Sequence, residues 1–196
     1  DFISTWATTG SDEKITVPFE ADGNSLNFTI DWGDGNSDTV TASSDDLGGG
    51  AIDHTYSSAD TYTITMVGAV SGIKFNNGGD KTKIKTIANW GNYIMSKEDA
   101  FYGCTALNVT AADAPDLSDV TAAHLGIQRC FQDCTSLTSV GGAASWDLSG
   151  VSHVEYMFAG ATSFNQDISM WDMSNVVTIQ SMFHGATSFN QPIGAW

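Results

Sequence analysis

Polar and apolar residues alternate in three runs near the N-terminus: Ile15-Val17-Phe19, Leu26-Phe28-Ile30-Trp32 and Tyr62-Ile64-Met66. A period of two sends successive side chains to opposite faces, so each run predicts a half-buried β-strand. Asp22-Gly23, Asp34-Gly35 and Gly48-Gly49-Gly50 punctuate the runs and supply the left-handed conformations that tight connections need. Short strands bounded this way predict a β-sandwich of immunoglobulin-like architecture over residues 1–75.

A longer period takes over towards the C-terminus. Trp146, Trp171 and Trp196 stand 25 residues apart, and the two intervening segments, WDLSGVSHVEYMFAGATSFNQDISM and WDMSNVVTIQSMFHGATSFNQPIGA, share 14 of 25 positions. Looser copies lie upstream: Phe101-x-x-Cys104-Thr105-x-Leu107 and Phe131-x-x-Cys134-Thr135-x-Leu137 align with Phe158-x-x-Ala161-Thr162-x-Phe164 and Phe183-x-x-Ala186-Thr187-x-Phe189. A fixed period of this length predicts stacked coils, because each unit can bury its apolar face only against the next. Ile168, Trp171, Met173, Val176 and Phe183 match leucine-rich-repeat spacing, which predicts one short strand per unit, then a turn and a segment ending in Met-Phe. The fold class expected is mainly β, a sandwich followed by a short leucine-rich-repeat solenoid over residues 76–196. Its units fall near 76–100, 101–130, 131–157, 158–182 and 183–196.

Phe75, Ile84 and Ile87 are the expected core of the junction, where the sandwich caps the first coil. Trp196 opens another unit, so the array is expected either to continue or to meet a partner at that end, and residues 1–196 in isolation are expected to fray at the last coil or to associate end to end. The aligned Asn165-Gln166 and Asn190-Gln191 predict a ladder of amides from coil to coil. Trp146, Trp171 and Trp196 are expected to pack in the core before serving as an aromatic platform.

Charge narrows the classes of partner. The chain holds 23 acidic and 7 basic residues, a formal charge of −16, which repels a nucleic-acid backbone. No apolar run is long enough to span a membrane, and the sequence opens at Asp1 without a basic and apolar stretch, the start expected of a mature or excised segment. Lys81, Lys83 and Lys85 alternate with Thr82, Ile84 and Thr86, which predicts one lysine-bearing face of a strand, a solvated face or guarded edge.

Candidate chemistry is sparse. Asp31, Asp34, Asn36 and Asp38 gather oxygen donors of the type calcium prefers, with Asp45, Asp46 and Asp53 able to fold back towards them; their spacing is not that of an EF-hand loop. The competing reading is that Asp31 and Asp34 hold the turn through backbone amides. Cys104 and Cys134 share one repeat phase and stacking would bring them within disulfide reach, with Cys130 and Cys134 the other pairing, yet Ala161 and Ala186 at the same phase favour small buried residues. His54, His124, His153 and His184 are dispersed, and no nucleophile, metal or phosphate-binding motif is present, so no catalytic residue is assigned.

Two resemblances follow from longer strings. Phe28-Thr29-Ile30-Asp31-Trp32-Gly33-Asp34-Gly35, then His54-Thr55-Tyr56 and Thr61-Tyr62-Thr63-Ile64, resembles the PKD type of extracellular β-sandwich, with Asp60 standing where that family has Gly. Ile84-x-x-Ile87-x-x-Trp90-Gly91, Ala100-Phe101-Tyr102-Gly103-Cys104, Asp113-Ala114-Pro115-Asp116-Leu117-Ser118 and the repeated Gly-Ala-Thr-Ser-Phe-Asn-Gln resemble BspA-like leucine-rich-repeat surface proteins of bacteria. The resemblance implies a secreted or cell-surface, non-enzymatic protein that binds an extracellular protein or glycan. The in-register polar positions Asp147, Ser149, Asp172 and Ser174, taken as an exposed strand face, are the expected ligand contacts. The alternative is an assembly subunit that stacks end to end in a filament or surface layer.

Overall fold

A computed structural model describes residues 1–20, 25–43, 47, 50–95, 98–120 and 126–196. The Asp22-Gly23 turn, Gly48, Gly49, Asp45, Asp46 and His124 lie outside the described residues. The fold is mainly β. Its strands are β1 (Phe2–Ala7), β2 (Glu13–Pro18), β3 (Ser25–Asp31), β4 (Ser37–Ser43), β5 (Ala51–Tyr56), β6 (Thr61–Ser71), β7 (Ile84–Asn89), β8 (Tyr93–Ile94) and β9 (Asn108–Val109). Among the described residues the sole helical element is a 3-10 turn at Ala143–Ser145, and no helix is long and apolar enough to cross a membrane.

The alternating runs become β2, β3 and β6, and their apolar members turn inward: Ile15, Val17, Phe19, Leu26, Phe28, Ile30, Trp32, Tyr62, Ile64 and Met66 are all buried. A seven-stranded sheet runs β4-β3-β6-β1-β7-β9, with β8 beside β6, and β2 pairs with β5 in a second sheet. The two sheets share one core, since Phe19 meets Phe28 with ring centroids 5.7 Å apart and Tyr56 stacks on Tyr62 at 3.8 Å. The β3–β4 hairpin turns through Gly33 at φ 77°, where a Cβ would collide with the carbonyl oxygen of Thr63. That close approach admits glycine alone.

Phe75, Ile84 and Ile87 are buried at the junction as expected. β7 pairs antiparallel with β1 and parallel with β9, so one sheet runs from the N-terminal strands into the repeat region. The three lysines do not line a strand face. The chain turns through residues 78–83 and only Lys85 lies in β7. Lys83 instead meets Glu13 (3.0 Å) and Asp80 (3.1 Å), and Lys81 donates to Asn77. The Gly78-Gly79 pair and Lys83 N–H, which donates to Asp80 O, close this turn before alternation can begin.

Successive repeat units lie one above the next in parallel register. Phe75 N–H donates to Ala100 O, Phe101 to Cys130, Phe131 to Met157 and Phe158 to Met182, at 2.9 to 3.0 Å. The rings follow: Phe101–Phe131, Phe131–Phe158 and Phe158–Phe183 stack at 5.7, 5.9 and 5.8 Å. Trp146 stacks on Trp171 at 5.6 Å, while Trp196 packs against Phe183 at 6.3 Å. In place of the short strand expected in every unit, the described residues beyond Val109 make only isolated parallel bridges, Ile94 to Asp116, Val109 to Val140 and Gly126 to His153 to Thr178. The reason is local: each coil places two left-handed residues around its core Phe, Asp99 and Gly103, Arg129 and Asp133, Tyr156 and Gly160, Ser181 and Gly185. Such residues bend the chain too often for a strand to extend.

Candidate functional site

The Asp-Trp-Gly-Asp-Gly turn and the later His-Thr-Tyr meet in space. The His54 ring stacks on Trp32 at 5.0 Å and sets its edge against Tyr56 at 4.6 Å, while its Nε2 lies 2.7 Å from Asp34 Oδ2. Tyr56 donates its hydroxyl proton to Trp32 O (2.9 Å). Partial burial pushes the Asp34 carboxyl up, but the bonds from His54 and Asn36 outweigh it and leave the group below the ordinary carboxylate value. Burial also raises the Tyr56 phenol well above its usual range. This cluster ties two sheets together through one buried bond, Tyr56 to Trp32, and one exposed bond, His54 to Asp34.

The oxygens considered for calcium are not brought together. Asp31 Oδ1 accepts from Gly33 N–H (2.8 Å), Asp34 Oδ1 from Asn36 N–H (3.0 Å), and Asp38 Oδ2 from Trp32 Nε1 (2.7 Å). Asn36 spends its side-chain amide on Asp34 Oδ2 (3.1 Å). Asp53 pairs with Lys14 at 2.7 Å on the β2–β5 ribbon, and among the described residues no group of three or more His, Cys, Asp or Glu could hold a metal. Asp31 and Asp34 close local Asx turns through backbone amides, as the competing reading holds, while Asp38 bonds the Trp32 indole. Asp60 does not adopt a positive φ, and its carboxylate accepts from Thr61 N–H (2.7 Å). Cys104, Cys130 and Cys134 are buried without a disulfide, and burial drives the Cys130 thiol up to about 12.

Asp147, Ser149, Asp172 and Ser174 are exposed and in register, but on turns and not on a strand face. Ser149 N–H donates to Asp147 Oδ1 and Ser174 N–H to Asp172 Oδ1, each at 3.0 Å. The same Asp-x-Ser turn recurs at Asp116-Ser118 and Asp167-Ser169, two members the sequence reading passed over although the spacing announces them. Bonds from the paired serines hold all four carboxyls below their ordinary value, and the Asp147 charge partly offsets this at Asp172, which places the two side by side. Asn175 Nδ2 bridges the coils to Ser149 O (2.9 Å). The amide ladder bonds mainly to backbone: Asn165 Oδ1 accepts from Asn190 N–H (2.9 Å), Gln191 Nε2 donates to Asn165 O (2.8 Å), and Gln166 Nε2 donates to Gly141 O (2.6 Å).

These shifts set a pH dependence. A carboxyl with a depressed folded value contributes stability above its unfolded value and loses it as pH falls through the folded one. Glu13, held by Thr9 N–H (2.6 Å) and Lys83, falls from 4.5 to about 2. Melting temperature is therefore expected to hold steady down to about pH 5 and to decline between 4.5 and about 2. Glu13→Gln should flatten part of that decline; an unchanged profile in scanning calorimetry would contradict the assignment.

One polar pair in the repeat region escaped sequence reading altogether. Asp99, with a side chain only 4% exposed, accepts from Arg129 Nε (2.6 Å) and Nη2 (2.9 Å), and Glu98 lies 3.4 Å from the same guanidinium. The signal was present, since Asp99 and Arg129 each stand two residues before a core Phe, at the same phase of adjacent units.

Residues 95–196 match a family described as Mycoplasma protein of unknown function, DUF285. The chain belongs to the DUF285 family. No curated protein and no solved structure matches it. The DUF285 span begins at Met95, whose N–H bonds to Asp116 O (2.9 Å), and takes in the Asp-x-Ser turns, the amide ladder and the Phe column from Phe101 to Phe183. The Asp34–His54 cluster lies outside it.

Proposed function

We propose that this DUF285 chain is a non-enzymatic extracellular recognition module, a PKD-like β-sandwich leading into a short BspA-like leucine-rich-repeat solenoid, that adheres to an extracellular protein or glycan. The observation that carries this reading is the repetition of one exposed polar unit, Asp147-x-Ser149 over Asp172-x-Ser174, at the spacing of adjacent coils. Identical groups on a rigid stack form an extended surface whose spacing a repetitive ligand can match. Each Asp is pinned by its serine and stays ionised, so the face offers fixed acceptors to hydroxyl or cationic donors. The remaining polar chemistry supports a non-catalytic role, because Asp34, His54, Asp99 and Arg129 engage one another or the backbone in structural bonds.

Glycan and protein arrays probed with the intact chain, with and without calcium, test the reading. Binding is expected to fall at least about tenfold in the Asp147→Ala/Asp172→Ala variant, the loss of roughly 1.4 kcal/mol, with melting temperature within a few degrees of the parent. Binding indifferent to both substitutions would remove the face from consideration.

A further inference from the structure

β4 ends the larger sheet on the side away from the repeat region, with β3 as its one neighbour. The bond from Trp32 N–H to Asn36 O (3.0 Å) and the unbroken register from Asp31↔Ser37 to Ser25↔Ser43 fix which groups face inward. Asp38, Val40 and Ala42 spend their backbone groups on β3, so the N–H and C=O groups of Ser37, Thr39 and Thr41 point to the open side. All three residues are exposed, and among the described residues no hydrogen bond reaches these backbone groups. The other edges are closed or guarded. Thr16 N–H donates to Asp80 Oδ2 (2.8 Å), Lys83 Nζ to Lys14 O and Lys74 N–H to Pro18 O (3.2 Å), which covers the outer side of β2. β7 continues into β9, and β5 carries the charge of Asp53 with its partner Lys14 at 2.7 Å. Edge strands are ordinarily blunted by lysine, proline or a bulge. β4 has none of the three, and its one charged side chain, Asp38, is turned back onto the Trp32 indole.

Charge decides what this edge accepts. From Ile15 to Ile73 the chain holds nine Asp or Glu residues and no Lys or Arg, while Lys83 and Lys85 lie by β7 at the opposite end of the sheet. We propose that β4 is a docking edge for an extended, cationic polypeptide segment of another protein, which adds to the sheet as a further strand. The backbone of that segment exchanges hydrogen bonds with Ser37, Thr39 and Thr41, and a lysine or arginine at one of its alternate positions lies beside Asp38. A second copy of the chain is the poorer occupant, because pairing β4 with β4 brings two acidic, cation-free segments together. The edge belongs to the N-terminal strands and is separate from the Asp147–Ser174 face, so either can fail alone.

The test is amide hydrogen exchange on the intact chain, read by NMR, with a short synthetic peptide that alternates lysine with threonine and valine. Exchange at the Ser37, Thr39 and Thr41 amides is expected to slow by at least about tenfold with this peptide, and to stay unchanged with a version carrying glutamate in place of lysine. Thr39→Pro removes the central outward donor without touching a bond to β3, and is expected to abolish protection at Ser37 and Thr41 with the melting temperature within a few degrees of the parent. Should that variant unfold, Thr41→Lys, which sets a cation on the edge, is expected to lose most of the protection with the fold intact. Asp147→Ala/Asp172→Ala is expected to leave it unchanged; a loss there places the peptide on the other face and overturns the edge. No protection at saturating lysine peptide, or protection that survives Thr39→Pro in a folded chain, overturns the proposal. Equal protection by both peptides overturns the choice of a cationic partner. Protection that grows with the concentration of the chain alone, together with a rising sedimentation mass, makes a second copy the occupant and overturns it as well.

Discussion

Phe131→Ala is expected to lower the unfolding free energy by about 3–5 kcal/mol, the range for truncating a fully buried phenylalanine. Phe131 is wholly buried and lies nearly parallel between Phe101 and Phe158, with Trp146 6.2 Å away. The void left behind cannot close, because Phe101 N–H to Cys130 O and Phe131 N–H to Met157 O hold the flanking coils apart at fixed spacing. The cavity contribution therefore adds to the lost transfer free energy. Phe183→Ala, in a coil stacked on one side only, is expected to cost less than half as much. Urea unfolding followed by tryptophan emission measures both; equal losses would mean that stacking does not govern the stability of the column.

Arg129→Met should cost about 2–3 kcal/mol, and Asp99→Asn distinctly less. The asymmetry comes from burial, 4% exposure for the Asp99 side chain against 40% for Arg129. Removing the cation strands a carboxylate that water scarcely reaches, whereas removing the charge of Asp99 leaves a guanidinium that remains solvated and keeps Glu98 beside it. The partial exposure of Arg129 brings the cost below the range of about 3–5 kcal/mol for fully buried pairs. A double-mutant cycle isolates the coupling. Losses of the same size in the two single variants would show that the pair is screened like a surface contact.

The N-terminal strands were legible because alternation reports burial directly, and Ile15, Phe28 and Ile64 turn inward as their spacing requires. The Phe column was legible for a related reason: equivalent residues of stacked units must meet, so Phe101, Phe131, Phe158 and Phe183 fall in line. The candidate oxygens at Asp31, Asp34 and Asp38 were legible as a crowd but not as bonds, since each could find a local amide before it found a neighbour. Lys83 was misread because it closes its own turn with Asp80 and finds its other partner, Glu13, at the start of β2, far away in sequence. Arg129 and Tyr156 gave no hint of left-handed backbone, a conformation these side chains disfavour and only the coil's closure enforces.

Composition and periodicity alone determined that the chain is mainly β, that its C-terminal units repeat, and which side chains are buried, because burial follows from spacing within a unit. Tertiary structure alone decided that β7 joins the N-terminal sheet, that Asp99 finds Arg129, and that Val154, Tyr156, Phe158 and Gly160 donate to the following coil while Val177 and Ser188 donate back to the preceding one. Those outcomes depend on which groups face each other across the stack. A linear pattern carries the period of that encounter but not its direction.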